Sequence, residues 1–286
     1  MFKTQVLSAG ERAVILFHGL SSSPLEVQLL GRGLQRAGYT VYLPHLPGYG
    51  DDGQGRARLV TDRRDWLALA LHEFDTVRAK HEHVAIGGLC IGATLALNVA
   101  AQRPDQVAAF IALSITLWYD GWTLPWYRFF LPLAAYVPFG MRYSFRELSP
   151  YGVKDERMRA WIAGEMAKTE SSVAGASTLS ARSLIQAQRL CRETRRILPH
   201  INLPILVIHA MEDDMSSPRN PEYLIRNIRS RQTRYVVLRD SYHMITLDQE
   251  KDRVLAETRG FLDQVMNTEV QTHQPKNNVF PITNTR

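Results

Sequence analysis

The segment Gly88-Leu89-Cys90-Ile91-Gly92 sets a cysteine between two glycines, each two residues away. An apolar run, His83 to Gly87, ends just before it, and a small-residue helical pattern follows from Cys90 to Gln102. A strand that turns sharply into a helix has no room for side chains two positions before and after the tip. Gly88 and Gly92 meet that requirement and push the Cys90 side chain outward on strained backbone. A thiol at the first turn of a helix sits in the positive end of the backbone dipole, which favours the nucleophilic thiolate. The bland alternative is a buried cysteine in a tight turn, since cysteine is among the most buried residue types.

A thiolate nucleophile needs a base, a group to orient that base, and donors for the oxyanion it creates. His243 follows the strand pattern Tyr235 to Leu238 and precedes a closing helix, so a return loop would bring it to the same sheet edge. His45 falls in a glycine-rich loop, and His209 lies inside a strand, where an ordinary core histidine is expected. The acid is expected in Met211-Glu212-Asp213-Asp214-Met215, after the strand Ile205 to Ala210. Asp213 is best placed to reach back. Asp214 comes next and Asp120, at another strand end, third; Asp214 and Glu212 otherwise read as solvated turn residues. The oxyanion donors are expected to be the backbone N–H of Ile91 and that of Leu20, in the loop His18-Gly19-Leu20. Gly19 allows close backbone approach there, and His18 reads as a holder of the loop rather than as the base.

These residues need a scaffold. Short apolar runs alternate with longer helical patterns, which implies an α/β fold: a mostly parallel central sheet with helices on both faces. Ala13 to Phe17 is too continuous for a surface strand and is expected at the centre. The spacing predicts a helix over Leu25 to Ala37, with Leu29, Leu30 and Leu34 on one side and Gly38 ending it. Tyr39 to Leu43 and Val107 to Leu113 read as strands, Asp62 to Lys80 and Val254 to Val265 as helices, and Pro44 to Gly55 as a loop. Between Ile115 and Leu203 no buried strand is expected. A helical cap insert over 115–203 therefore interrupts a core formed by 1–114 and 204–266. Residues 267–286 are polar and aperiodic and read as a disordered tail.

At 286 residues, with 45% apolar and 22% charged side chains, the chain can bury a large core and is no disordered polymer. Its 34 basic and 28 acidic residues leave a formal charge of +6, and 28 of the basic residues are arginine. No nucleic-acid-binding motif accompanies that charge. The arginines Arg182, Arg189, Arg192, Arg195 and Arg196 offer a face to an acidic carrier protein or a phosphate-bearing thioester. Cys90 and Cys191 do not make a disulfide framework. The start lacks a secretion signal, and no run of about 20 apolar residues could span a bilayer, so the cytoplasm is the expected compartment. The histidines lack paired ligand spacing, and Pro47-Gly48-Tyr49-Gly50 lacks the lysine of a phosphate loop, so neither metal nor cofactor is expected.

The chain resembles the α/β-hydrolase superfamily and, within it, bacterial carboxylesterases related to monoacylglycerol lipases. The resemblance covers Ala13 to Leu113 and Leu203 to Val265. It is carried by His18-Gly19, the elbow Gly88-x-Cys90-x-Gly92, Asp213 and the run from His243 to Asp252, in the order nucleophile, acid, histidine. It implies the α/β-hydrolase fold with Cys90, His243 and Asp213 as a triad. That family's elbow carries serine. The cysteine is similar to those of dienelactone hydrolases, polyhydroxyalkanoate synthases and thioesterase-like cyclases. The implied activity is hydrolysis of a small acyl ester or thioester through an acyl-cysteine. Transfer or ring closure onto another nucleophile is the second reading, and ligand binding without turnover is a third. Trp118, Trp122, Trp126 and Phe129 would line the acyl pocket or else pack the cap onto the core.

Overall fold

Continuous apolar runs too short to close a helix become the strands of a doubly covered sheet. The computed structural model describes residues 4–46, 48–49, 62–124, 143–169, 171–173 and 175–272. In chain order the first half of the core is β1 (Gln5–Leu7), β2 (Ala13–Phe17), α1 (Leu25–Arg36), β3 (Thr40–Leu43), α2 (Arg63–Arg78), β4 (Val84–Leu89), α3 (Ile91–Gln102) and β5 (Ala109–Leu113). The insert contributes β6 (Ser144–Arg146), α4 (Glu156–Thr169), β7 (Ser171–Ser172), β8 (Gly175–Ala176), β9 (Thr178–Ser180) and α5 (Ala181–Ile197). The chain then returns through β10 (Ile205–Ala210), α6 (Arg219–Asn227), β11 (Thr233–Leu238) and α7 (Lys251–Thr272).

Among the described residues the main sheet has seven strands in the order β1-β3-β2-β4-β5-β10-β11. All pairs are parallel except β1 on β3. Alternate residues of β2 feed opposite sides: Ile15 and Phe17 pack with Trp66 and Phe74 of α2, Val14 and Leu16 with Leu30 and Leu34 of α1. Each large side chain removed from water there contributes roughly 1.5–3 kcal/mol. The register pairs Leu89 with Leu113 and Ala210 with Leu238. The loops after β4, β5, β10 and β11 therefore leave the sheet along one edge.

The structure departs from the sequence pattern in four places. Leu29 is exposed, and the buried stripe of α1 is Val27, Leu30 and Leu34 with Glu26 beside them. Strand β1 is an antiparallel edge only three residues long, too short to show a period. Helix α7 runs on to Thr272, so 267–272 belong to a helix and not to a disordered tail. Backbone hydrogen bonding continues a formed helix after its apolar stripe stops; residues 273–286 lie outside the described residues. Finally, the insert is not purely helical, because β6 pairs with β9 and β7 with β8. Its helix α5 buries Ala187, Leu190, Cys191 and Thr194 along one face. There Asn98 Nδ2 of α3 donates to Thr194 Oγ1 at 2.6 Å, so α5 lies on the sheet's own helix layer.

Helix α3 crosses β2 at backbone contact. A Cβ on Gly92 would stand 2.3 Å from the His18 carbonyl oxygen, and one on Gly88 2.5 Å from that of Phe17. Both obstacles are backbone, so no rotamer change relieves them. Gly92→Ala is expected to cost at least about 2 kcal/mol, read as a lower urea midpoint with an unchanged slope.

Candidate active site

Cys90 stands between β4 and α3 with φ 59° and ψ −124°, a conformation L side chains rarely adopt. Its N–H donates to Leu113 O at 3.0 Å, tying the tip to β5. Ser21, Ser114 and Tyr151 share the positive φ; Tyr151 lines the cleft beside Cys90 and Ser21 follows Leu20, which also lines it. Strain of this kind persists only where surrounding structure over-determines it. The Cys90 sulfur lies 3.4 Å from Thr116 Oγ1.

The expected partners gather around the tip. Cys90, Leu20 and His243 line one cavity of about 580 Å³. His243 Nδ1 lies 2.8 and 2.9 Å from the two Asp213 oxygens, and its Nε2 is buried without a hydrogen-bond partner among the described residues. Asp213 is itself fixed by the N–H groups of Met215 and Ser216, at 2.9 and 2.7 Å. Burial works against a charged imidazole, but the Asp213 carboxylate, with Cys90 beside the ring, holds His243 well above its ordinary pKa. Burial likewise opposes the Asp213 charge, and His243 outweighs it, holding the carboxyl below its usual range. The arrangement is an ion pair at rest.

On the opposite wall, Leu20 N–H follows β2 and the N–H of Ile91 opens α3, where no intrahelical acceptor exists. The loop carrying Leu20 is clamped. Tyr49 Oη donates to His18 O at 2.7 Å, Ser21 N to Tyr49 O at 3.0 Å, and Ala176 N to Ser21 O at 3.0 Å. His18 donates Nδ1–H to Gly19 O at 2.8 Å, and burial drops its pKa to about 3, so it stays neutral and holds the loop as expected. His209 is a core residue, its Nε2 2.8 Å from Ser216 O.

Asp214 is not a solvated turn residue: it is buried and accepts the N–H groups of His243 and Gly152, each at 3.2 Å. Asp120 is engaged elsewhere, accepting from Ser217 and Asn220. Glu212 is an exposed turn residue paired with Lys154 at 2.8 Å. Trp118 and Trp122 do not line the cavity. Asn220 holds the N–H of Leu117 and Trp118, and the Trp118 indole packs against Arg195, Arg219 and Tyr223. Trp122 is 61% exposed and donates Nε1–H to Glu212 O. Trp126 and Phe129 lie outside the described residues. The apolar lining comes instead from Tyr119, Phe145, Met166, Leu179, Leu184 and Met244.

Several functional groups escape a reading of the sequence. Thr116, Ser216, Glu147 and Asp248 carry no local signal. Asp248 accepts the N–H groups of Tyr242, Lys154 and Asp155, joining the histidine loop to the insert. Glu26 had one available signal: it shares a stripe with Leu30 and Leu34, a carboxyl on the buried side of α1.

No helix among the described residues is long and apolar enough to cross a membrane, and none of them cluster as a metal site. The sheet, the strained elbow and the histidine–carboxylate pair define an enzyme of the α/β-hydrolase fold. The chain belongs to the family described as "Serine aminopeptidase, S33", which matches residues 9–250. It is 27% identical over 254 residues to a thermostable monoacylglycerol lipase of Bacillus sp. (strain H-257), covering 88% of this chain and 90% of that protein. A carboxylesterase of Bacillus subtilis (strain 168) is 23% identical over 270 residues, covering 92% and 97%. The solved monoacylglycerol lipase of Paleococcus ferrophilus superposes with a TM-score of 0.74 at 17% identity, covering 92% of this chain and 99% of that one.

The pair's pH dependence has a definite sign. A depressed Asp213 contributes stability above its unfolded pKa of about 3.9 and loses it as pH falls; a raised His243 contributes fully below about 6.5 and loses it as pH rises through the folded value. The stability gap between wild type and Asp213→Asn is therefore expected to peak between about pH 4 and 6.5. Urea melts across pH 3–9 measure it, and a gap independent of pH would contradict the ion pair.

Proposed function

We propose that this enzyme hydrolyses carboxylic esters or thioesters through an acyl group carried on Cys90. The thiolate attacks the carbonyl carbon, and the oxyanion accepts hydrogen bonds from Leu20 and Ile91 N–H. The imidazolium of His243 gives its Nε2 proton to the departing alcohol or thiol as the carbon–oxygen or carbon–sulfur bond breaks. Water then attacks the acyl-cysteine, loses a proton to His243, and releases the acid and the thiolate. Asp213 keeps the ring oriented and its positive form stabilised throughout. The carrying observation is that a strained elbow tip and a carboxylate-bound histidine border one apolar cavity. The two Bacillus relatives, named for a lipase and a carboxylesterase, support this substrate class.

The cysteine favours a second outcome for the same intermediate. A thioester passes its acyl group to an amine, alcohol or thiol more readily than an ester does. Helix α5 leaves Arg182, Arg189, Arg192 and Arg196 exposed on one side, a surface suited to an acidic carrier delivering or receiving the acyl group.

Intact-mass spectrometry after mixing with a nitrophenyl butyrate is expected to show one butyryl group, absent in Cys90→Ala. Turnover should vanish after iodoacetamide. Asp213→Asn is expected to slow turnover by about 10³–10⁴-fold. No adduct and no turnover with any ester or thioester would favour a binding protein instead. Product analysis with added amines separates hydrolysis from transfer.

A further inference from the structure

A second carboxyl group lies at this site with no part in the triad. Glu26 is only 3% exposed, and its Oε2 accepts the Gly19 N–H at 2.6 Å. The point where a Gly19 Cβ would sit is 3.1 Å from Glu26 Oε2 and 3.5 Å from Cys90 Cβ, so carboxyl and nucleophile face each other across a glycine. Glu26 also lines the cavity that holds Cys90 and His243. No lysine or arginine pairs with it in an ion pair among the described residues. A buried carboxyl with no ion-pair partner in contact, one peptide unit from the Leu20 N–H, has no structural necessity: an apolar side chain would fill the stripe of α1 at lower cost.

We propose that Glu26 is a positioning residue for acylation. By taking the Gly19 N–H it turns the next one, Leu20 N–H, toward the reacting carbonyl, and its charge state sets how well the oxyanion is tolerated. This rests on the acyl-Cys90 reading above. Burial raises the carboxyl to about pKa 7, against the N–H of Gly19, the hydroxyl of Ser22 and the charge of His243. Near neutrality Glu26 is therefore partly the neutral acid. In that form one oxygen still accepts from Gly19, and the O–H has a buried polar neighbour in the Ser22 hydroxyl. Ionised, Glu26 places a second negative charge beside the forming oxyanion, in a cavity where water screens poorly.

The other ionisable groups around it are accounted for. His243, on the loop after β11, is held well above its ordinary pKa by Asp213, against the effect of burial. Tyr49 is held neutral by burial, as is His18 on the loop itself. Across the cavity, burial and the Asp214 charge raise Glu147 to about 7 as well. Glu147 follows β6 and has no hydrogen bond to Gly19 or Leu20 among the described residues, so a Glu147→Gln control distinguishes the two carboxyls.

The test is single-turnover acylation by a nitrophenyl ester between pH 5.5 and 9, corrected with Cys90→Ala. Wild-type rates are expected to fall about tenfold from pH 6 to pH 8, following ionisation near 7. Glu26→Gln keeps an acceptor for Gly19 without the charge; it should react about threefold more slowly at pH 6 and lose the decline. Glu26→Ala frees the loop and should lower the rate at every pH without restoring a slope. An infrared carboxylic-acid band that titrates near neutrality and disappears in Glu26→Gln gives a readout independent of turnover. A burst whose pH profile is the same in wild type and Glu26→Gln overturns the proposal, as does a band that persists. No burst in wild type overturns the Cys90 reading, and this one with it.

Discussion

The site depends on one close approach, α3 against the backbone of β2. Gly92 and Gly88 let the helix begin almost in contact with the carbonyls of Phe17 and His18. Only then does the chain at Cys90 take its positive φ and carry the sulfur out of the sheet edge. The same contact brings the start of α3 alongside the His18–Leu20 loop, so one crossing sets both the Cys90 tip and the backbone around it. Sheet register does the rest, ending β5, β10 and β11 level with β4, so that Thr116, Asp213 and His243 arrive on the same edge.

The chemistry is organised around charges kept from water. Asp213, Asp214, Glu26 and Glu147 surround a single imidazole. Desolvation pushes every one of these carboxyls toward neutrality. Asp213 alone ends below its ordinary range, because it holds the ring directly and accepts two backbone N–H groups as well. Direct contact with the ring thus separates Asp213, whose carboxyl is lowered, from Asp214, Glu26 and Glu147, whose carboxyls are raised.

The readable parts of this molecule are those whose cause is local. The elbow is written as two glycines at fixed spacing, and the strands as unbroken apolar runs. The choice of Asp213 over Asp214 followed from reach along a short loop, but the burial of Asp214 depends on Gly152, 62 residues away in sequence. The aromatic stretch misled for a related reason: composition marks Trp118 and Trp122 as pocket material, whereas Asn220 and the arginines decide where the first indole goes. Length hid β1, and an aperiodic polar end hid the last turns of α7. Glu26 stood in plain view on an apolar stripe, yet its meaning needs the loop it touches.

Asp248 and Asp214 moor the insert to the histidine loop, through the N–H groups of Lys154, Asp155 and Gly152, and Met244 N–H returns to Gly152 O at 2.7 Å. A rigid swing of this end of the insert would drag His243 with it. Farther out, Phe145 and Leu179 of the β6–β9 ribbon and Met166 of α4 form part of the apolar wall of the cavity. A substitution that shifts the stretch from Gly152 to Asp155 is therefore felt at His243, through Asp214, Asp248 and Met244.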